Sequence, residues 1–180
     1  MFYMKNMKLS AKELSEKSVL DIGSGNGITT YKLAPYVKTI YGLEPDKNSL
    51  KKARLLNRKF KYKNIRFYEG GIENIPFVRK FDIIRFRNSL QFMNPIYALK
   101  KSLKLINING FIIIVLPLSY PNPIDKRLDK NNKSFNKDLL DKNIKRNKKY
   151  IKIIKKFFEK YNKLYENSNK EKYYLIVKIK

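Results

Sequence analysis

A run of alternating glycines between a strand and a helix constrains this chain more than any other feature of its sequence. The turn reads Gly23-Ser24-Gly25-Asn26-Gly27. The residues before it, 18–22, are mostly apolar and of strand length, and apolar residues recur at helical spacing over 28–36. Glycines let the backbone turn tightly and approach a ligand closely, and the first amides of a helix attract a negative group. The turn therefore predicts a ligand site in an α/β fold.

Strands and helices alternate along the first two thirds of the chain. Apolar runs predict strands at 18–22, 39–43, 65–68, 81–86 and 111–116, and helical periodicity predicts helices at 28–36, 50–60 and 96–105. A short helix over 10–17 is predicted to precede them, with Ser10 as N-cap and Glu13 at the capping-box position. Five alternations at short spacing are typical of a mostly parallel sheet with helices on both faces.

The pattern changes after Pro117. Residues 119–136 are rich in Asn, Pro, Asp and Lys and predict a loop. Residues 148–166 have the periodicity of a long amphipathic helix, and residues 173–179 predict a closing strand. Because the loop follows the fifth strand, we expect it at the carboxyl edge of the sheet, where ligands bind in open α/β folds. Tyr120 is its candidate substrate contact.

The length is that of one domain, and we expect a single domain over residues 1–180. Its first part, 1–17, is predicted to form a short cap helix. The stretch 119–147 is predicted to be an Asn/Lys-rich insertion that is partly mobile.

The net charge of +26 has two interpretations. The chain carries 41 Lys and Arg residues against 15 Asp and Glu. A polyanionic partner such as RNA, or an anionic surface, is the functional interpretation. However, Lys, Asn, Ile, Tyr and Phe make up 97 of the 180 residues, and all five can be encoded by A and T alone. A bias toward AT-rich codons would raise the lysine content without any function, so both interpretations stay open.

The residue types that are missing from the chain exclude several chemistries. Without Cys or His, there can be no disulfide, thiolate nucleophile, Cys-ligated zinc or histidine base. Asp and Glu are scattered without the spacing of a carboxylate cluster, so no metal site is expected. No apolar run is long enough for a signal peptide or a transmembrane helix. We expect a cytoplasmic protein that is not secreted, with the nucleus as the alternative.

A carboxylate at the end of the second strand narrows the choice of ligand. Glu44 follows Gly27 by 17 residues, and a carboxylate at this place can accept hydrogen bonds from the ribose hydroxyls of an adenosine ligand. A nicotinamide or flavin site would need the pattern G-x-G-x-x-G, but Ile28 stands where its third glycine belongs. A nucleotide-dependent oxidoreductase is therefore disfavoured as an alternative.

The segment from Asp21 to Gly27 resembles motif I, D-x-G-x-G-x-G, of the class I S-adenosylmethionine-dependent methyltransferases. Four later segments are similar to that family in order and spacing: residues 70–77 to G-D-A-E-x-L-P-F, 81–84 to F-D-x-V, 87–92 to R-N-x-L-H-H, and 94–99 to D-P-x-x-A-L. The match runs from residue 18 to about 117 and is most similar to the small-molecule subgroup that includes ubiquinone- and menaquinone-biosynthesis methyltransferases. The resemblance implies a Rossmann-like methyltransferase fold with an antiparallel last strand, and S-adenosyl-L-methionine as the cofactor.

The resemblance also implies a set of site residues. The implied cofactor-binding residues are Asp21, Gly23, Ser24, Gly25, Gly27, Glu44, Pro45, Gly71, Ile72 and Arg87. In that family the glycines admit the methionine and ribose parts, and the acid at Asp21 orders the turn and the methionyl ammonium. Adenine would be held by the backbone at Ile72 and by packing near Pro45. Gln91 and Tyr120 are the candidate substrate contacts, and no catalytic residue is assigned.

Two departures from the family pattern bear on activity. Gly71 replaces an Asp that bonds the adenine amino group in many members, and Gln91 replaces a His. The interpretation is methyl transfer from S-adenosylmethionine, with a small-molecule acceptor favoured. The alternatives are an RNA methyltransferase that uses the basic surface, and a degenerate protein that binds a cofactor or a partner without turnover. The sequence leaves the oligomeric state open.

Overall fold

Seven strands and five α-helices make up the part of the chain that the computed structural model describes, residues 6–118 and 137–180. The side chains of residues 137–143 are outside the description. The strands are β1 (Ser18–Ile22), β2 (Thr39–Glu44), β3 (Ile65–Glu69), β4 (Phe81–Arg87), β5 (Ile106–Pro117), β6 (Asn162–Ser168) and β7 (Lys172–Lys178). The helices are α1 (Ala11–Ser15), α2 (Ile28–Tyr31), α3 (Lys47–Phe60), α4 (Pro95–Leu105) and α5 (Lys137–Phe157).

All seven strands join one sheet in the order β3-β2-β1-β4-β5-β7-β6. The first five strands in this order are parallel, whereas β7 runs antiparallel to β5, and β6 antiparallel to β7. The predicted Rossmann-like α/β fold, mostly parallel with an antiparallel last strand, is confirmed. The order reverses between β1 and β4, which is where open α/β sheets form a crevice at the carboxyl ends of their strands.

Two apolar cores lie on opposite faces of the sheet, and β5 shows why. Residues 111–116, the part of β5 that the sequence predicts, are buried without polar alternation, as expected for a strand covered on both faces. Ile112 and Ile114 belong to the core that contains side chains of α4 and α5, whereas Phe111 and Ile113 belong to the core that contains side chains of α1 and α2. Because neighbouring side chains of a strand point to opposite faces, helices cover both sides of the sheet.

The N-terminal helix has the cap that its sequence predicts. The Ser10 hydroxyl accepts a hydrogen bond from the backbone N–H of Glu13, and the Glu13 carboxylate accepts one from the Ser10 backbone. The helix predicted over 28–36 is shorter than expected, because α2 ends at Tyr31 and a separate 3₁₀ turn covers Ala34–Tyr36. Pro35 lies in that turn and has no amide to donate, so it cannot continue an α-helix.

Asn109 and Gly110, a residue pair typical of turns, lie inside β5. The register between β4 and β5 passes from the Phe81–Ile106 pair to the Ile83–Phe111 pair, so β5 carries extra residues that form an irregularity within the strand. Asn109 has φ +62, which places it in the left-handed region. This turn-type sequence therefore forms a bulge within the strand, and β5 begins before it and not after it.

The helix predicted over 148–166 is wrong at its C-terminal end. Helix α5 ends at Phe157, and residues 162–168 form β6, which pairs with β7. Most side chains of β6 are exposed because it is an edge strand, so its sequence lacks the apolar alternation that identifies strands. Helix α5 begins at Lys137, inside the Asn/Lys-rich stretch 119–147.

Tyr120 and the other residues of 119–136 lie outside the described residues. In residues 6–118 and 137–180, no helix has the length and apolar character needed to cross a bilayer.

Candidate functional site

A cavity of about 670 Å³ opens at the carboxyl ends of β1, β2, β3 and β4. It lies at the crevice that the sheet order creates, and its volume is within the range of small-molecule sites, roughly 300–1,000 Å³. The sequence-predicted residues that line it are Gly23, Gly25, Glu44, Pro45 and Gly71. The fold therefore brings the ends of the first three strands together around one space, as the sequence predicts for ligand-binding residues.

The glycine turn is held in a shape that requires glycine at two of its positions. Gly23, Gly25 and Gly27 all have positive φ, between +57 and +79. A Cβ on Gly23 would lie 2.3 Å from the Cβ of Ser89, and one on Gly27 would lie 2.9 Å from the Tyr31 ring. A Cβ on Gly25, by contrast, would meet no atom within 4 Å. Gly23 and Gly27 are therefore needed for packing, whereas Gly25 leaves open space beside the cavity.

Glu44 fastens the turn to the end of β2. Its Oε2 accepts a hydrogen bond from the Gly25 N–H at 2.7 Å, and its Oε1 accepts one from the Asp46 N–H at 2.9 Å. The residue is only 8% exposed, so the carboxylate has a fixed orientation at the cavity wall. Each carboxylate oxygen has a second lone pair, so Glu44 can accept bonds from ligand hydroxyls as well.

Asp21 lies beneath the turn and not in the cavity wall. Its carboxylate is 1% exposed and is paired with the fully buried guanidinium of Arg85. Arg85 Nε donates to Asp21 Oδ1 at 2.8 Å, Arg85 Nη2 donates to Oδ2, and the Thr30 hydroxyl donates to Oδ2 at 2.7 Å. Asp21 therefore connects β1 to β4 and to the first turn of α2. The expected ordering of the turn has a physical basis here, and a contact with the ligand stays a prediction.

The remaining predicted residues surround the cavity without lining it. Ser24 is buried, and its hydroxyl has no hydrogen-bond partner in the described residues. Ile72 is fully buried in the core, and Arg87 is half-buried at the end of β4. Gln91 is buried and donates from Nε2 to the Asn88 carbonyl at 2.8 Å. Ser24, Gly27, Ile72, Arg87 and Gln91 are thus neighbours of the site, and their roles in binding remain predictions.

Asn88 is a site residue that the sequence did not single out. It lines the cavity with φ +55, and its backbone N–H donates to the Val115 carbonyl at 2.9 Å. Its side-chain Oδ1 is buried and has no partner in the described residues. Buried acceptors are nearly always satisfied, so an orphan acceptor in a cavity wall fits a ligand donor such as an ammonium group. Asn88 belongs to the R-N-x-L segment, of which the resemblance implies only Arg87 as a binding residue.

The cavity wall is acidic in a strongly basic protein. Glu44, Glu69 and Glu73 line it, and none of its described lining residues is Lys or Arg. Lys47 makes an ion pair with Glu69 at 3.5 Å at the surface. Like charges repel and opposite charges attract over these distances, so the wall suits a cationic ligand better than a phosphate. In the described part of the chain, no three acidic side chains are grouped so that they could hold a metal ion.

The cofactor implied by the sequence fits this cavity. S-adenosylmethionine has ribose hydroxyls that suit Glu44, an ammonium that suits Asn88 Oδ1, and a positive sulfonium that suits an acidic wall. The open space at Gly25 permits close approach of a ligand to the backbone.

A second, apolar groove of about 580 Å³ is lined by α2, α3 and the segments that follow them. Leu55 and Phe60 are large apolar residues of α3, yet they are 52% and 53% exposed. Phe60 lines the groove together with Tyr31, Tyr36 and Tyr62. The buried residues of α3 are Leu50 and Ala53.

A family model described as a methyltransferase domain matches residues 13–179 of the chain. Among curated relatives, an uncharacterized methyltransferase YcgJ of Bacillus subtilis is 28% identical over 112 residues, which cover 61% of this chain and 44% of the relative. A ubiquinone biosynthesis O-methyltransferase of Pelagibacter ubique is 28% identical over 114 residues, which cover 62% of this chain and 47% of the relative. The match thus spans less than half the length of these relatives.

The fold is shared with solved methyltransferase structures. A SAM-dependent methyltransferase from Aquifex aeolicus superimposes with a TM-score of 0.68 at 15% sequence identity, over 99% of this chain and 88% of the other. At this identity the similarity shows the fold alone.

Proposed function

Because the chain belongs to the methyltransferase-domain family, we propose that it transfers a methyl group from S-adenosylmethionine to an acceptor, and that the acceptor is a small molecule. The observation that supports this best is the Glu44 carboxylate, which fastens the glycine turn from one side and lines an acidic cavity of about 670 Å³ on the other. A nucleoside that carries positive charge matches both properties of this wall.

In this proposal each part of the cofactor is bound by different residues of the cavity. Glu44 accepts hydrogen bonds from the ribose hydroxyls, and the backbone of Gly23 and Gly25 lies against the ribose and methionine parts. Asn88 Oδ1 accepts a hydrogen bond from the methionyl ammonium, because it is an orphan acceptor in the wall. Pro45 packs against the base. Asp21 acts indirectly, by holding the turn through Arg85 and Thr30.

Methyl transfer from this cofactor does not require a nucleophilic side chain of the protein. Bound S-adenosylmethionine supplies both the reactive carbon and the leaving group, which is consistent with a protein that has neither Cys nor His. The residues of the chain then bind, orient and exclude water, and such positioning accounts for a large part of many rate enhancements. We assign no general base, since one is needed only for an acceptor that is protonated at neutral pH.

The rim of the cavity supports a small, partly apolar acceptor. Phe92 is 71% exposed and lines the cavity beside the half-buried Met93. Both follow β4, on the same side as Asn88, so an acceptor that rests on them approaches the methionine end of the site. One of the relatives is named a ubiquinone biosynthesis O-methyltransferase, and this name also points to a small-molecule acceptor.

Two measurements test the proposal. Calorimetry with S-adenosylmethionine and S-adenosylhomocysteine should show saturable binding to the purified protein; no binding at millimolar ligand overturns the proposal. A labelled-methyl assay with cell extract, separated into RNA, protein and small-molecule fractions, should place the label among the small molecules. Tight cofactor binding without methyl transfer to any fraction would instead support a degenerate, non-enzymatic role.

An RNA acceptor is the second candidate, and one observation favours it. Helix α3 and the residues after it expose many basic side chains, and the exposed rings of Phe60 and Tyr36 lie in the groove beside them. Aromatic rings next to basic side chains bind unpaired bases and phosphates. If this surface serves RNA, the label should appear in the RNA fraction, and RNA binding should weaken steeply with salt.

A further inference from the structure

We propose that Glu73 selects the base of the cofactor, by accepting a hydrogen bond from the exocyclic amino group of adenine. This inference rests on the proposed function and names the residue that determines which nucleoside the site accepts. It depends on three observations: the order of the strands, the free carboxylate of Glu73, and the absence of a side chain at Gly71.

The strand order places the base next to the segment after β3. If the ribose lies at Glu44, on the end of β2, the two arms of the ligand extend in opposite directions along the carboxyl edge of the sheet. The arm toward β1 and β4 reaches Asn88, whose orphan acceptor suits an ammonium. The other arm, which carries the base, must then reach the segment after β3, of which Gly70, Gly71, Glu73 and Asn74 line the same cavity.

Of the three carboxylates that line the cavity, Glu73 alone is free in the described part of the chain. Both oxygens of Glu44 already accept backbone N–H groups, and Glu69 faces Lys47 at 3.5 Å. No hydrogen bond or ion pair joins Glu73 to another described residue. An ionised carboxylate has hydrogen-bond acceptors and no donor. The donors for the Glu73 carboxylate must therefore come from a ligand or from water.

The glycine at position 71 lets the Glu73 carboxylate fold back toward the cavity. A Cβ on Gly71 would lie 2.5 Å from Glu73 Oε2, so the carboxylate occupies the space that any other side chain at position 71 would fill. Gly71 itself lines the cavity, and the carboxylate above it is therefore near the ligand space.

The edge of adenine distinguishes this arrangement from a general preference for cations. Adenine presents an amino group that donates to a carboxylate, whereas hypoxanthine presents a carbonyl oxygen at the same position. A carbonyl facing Glu73 would bring two acceptors together without a shared hydrogen, and a site that is built to bond a group rejects the analogue that lacks it. Glu73 should therefore control the choice between the two bases and have little effect on the other parts of the ligand.

The test compares the binding of S-adenosylhomocysteine with that of S-inosylhomocysteine by calorimetry. The wild-type protein should bind the adenine form at least about tenfold more tightly, as expected for a hydrogen bond to a charged group. Glu73→Ala should weaken binding of the adenine form about tenfold and leave binding of the inosine form nearly unchanged. Glu159→Gln, a change of one charge at an exposed position outside the cavity, should keep the full preference.

A rescue variant separates a lost contact from a disturbed loop. The backbone of Gly71 is outside the left-handed region, so an Asp is tolerated there once the longer Glu73 side chain is removed. Gly71→Asp in the Glu73→Ala background should restore the preference for adenine. Because Glu73 is exposed, neither variant should lower the melting temperature appreciably.

The outcomes are distinguishable. If the wild-type protein prefers adenine and Glu73→Ala retains that preference, Glu73 does not read the base and the inference is overturned while the proposed function stands. A wild-type protein that binds the two forms equally overturns it as well. If the wild-type protein binds neither ligand, the proposed function itself fails, and the role of Glu73 fails with it.

Discussion

Asp21 of β1 and Arg85 of β4 face each other in the parallel register, and their side chains form an ion pair that is almost completely withdrawn from water. The pair lies directly beneath the glycine turn, and Thr30 of α2 completes it with a hydrogen bond to the same carboxylate. The strand before the turn, the helix after it and the neighbouring strand are therefore connected through one acidic side chain. The shape of the turn depends on this connection.

Arg85→Met should destabilise the protein strongly. The substitution leaves the charge of Asp21 buried without its partner, which typically costs about 3–5 kcal/mol in the free energy of unfolding. In Asp21→Asn/Arg85→Met the buried charge is gone and the Thr30 hydroxyl keeps an acceptor, so the double variant should lose less stability than Arg85→Met alone. Urea denaturation of the three proteins measures both effects. A double variant that is less stable than the single one would contradict this account of the pair.

Gly27→Ala should mainly lower the stability of the protein, whereas Gly25→Ala should mainly weaken ligand binding. At Gly27 a methyl would lie 2.9 Å from Tyr31, 3.0 Å from Phe67 and 3.1 Å from Ala53, so crowding adds about 1–3 kcal/mol to the cost of a positive φ. At Gly25 only the backbone cost of about 1–2 kcal/mol remains, but the methyl enters the space beside the cavity. Thermal unfolding should therefore show the larger loss for Gly27→Ala.

Binding of S-adenosylhomocysteine provides the complementary readout. Both variants are compared at a temperature at which they are folded. Relative to the stability that each variant loses, Gly25→Ala should weaken ligand binding more than Gly27→Ala. Equal losses of stability at the two positions would show that Tyr31, Phe67 and Ala53 move aside without cost.

The centre of the parallel sheet could be predicted from the sequence because β1, β2 and β4 are buried on both faces along most of their length. The apolar residues 111–116 of β5 are a further example, because consecutive apolar residues of a strand are buried on both sides only in the interior of a sheet. Strand β6 could not be predicted, because an edge strand is stabilised by its backbone pairing to β7 and its side chains remain exposed. The spacing of Tyr161 and Leu164 suited a helix equally well, and only the pairing partner decides between the two.

The candidate site was predictable where the backbone determines it. The glycines of the turn and Glu44 are visible as residue types at fixed spacing. Arg85 was missed because its meaning depends on register: a charged residue in an apolar strand acquires a partner only when β4 is placed beside β1 with Arg85 opposite Asp21. Asn88 and Glu73 were missed for a similar reason, since a polar side chain without a partner can be recognised only after the partners of all its neighbours are known.

The stability of the protein should fall in acid, and Asp82 should account for part of the loss. Partial burial alone would raise the pKa of Asp82, but hydrogen bonds from the Ser18 backbone and from the Asn107 and Ser18 side chains outweigh it and hold this pKa below its usual range. A carboxyl whose pKa is lowered on folding stabilises the protein above its unfolded pKa of about 4, and this contribution is lost as the pH falls through the folded pKa.

Asp82→Asn removes this contribution and the pH dependence that comes with it. Urea denaturation should show a gap of about 1–3 kcal/mol between wild type and variant at neutral pH, because buried donors lose their acceptor. The gap should narrow below about pH 4, where the wild-type carboxyl takes up a proton as well. Glu13→Gln serves as the comparison, because that carboxyl is exposed although its pKa is also lowered by hydrogen bonds from Ser10. A gap that stays constant down to the acid end would show that Asp82 does not titrate with unfolding.

Glu44→Gln should weaken cofactor binding and remove the preference for a ligand with both ribose hydroxyls. The amide that replaces the carboxylate has one oxygen in place of two, so it cannot accept from Gly25, Asp46 and two ribose hydroxyls together. We expect the affinity for S-adenosylhomocysteine to fall about tenfold or more, as for the loss of hydrogen bonds to a charged group. The wild-type protein should bind the 2′-deoxy counterpart of this ligand more weakly than the ribose form, and Glu44→Gln should remove most of the difference.

Calorimetry at a temperature where both proteins are folded separates this effect from the stability lost at the turn, and Glu159→Gln provides the charge-matched comparison. If Glu44→Gln lowers the melting temperature but leaves the preference for the ribose form intact, Glu44 serves only to fasten the turn, and the ribose must be bound elsewhere in the cavity.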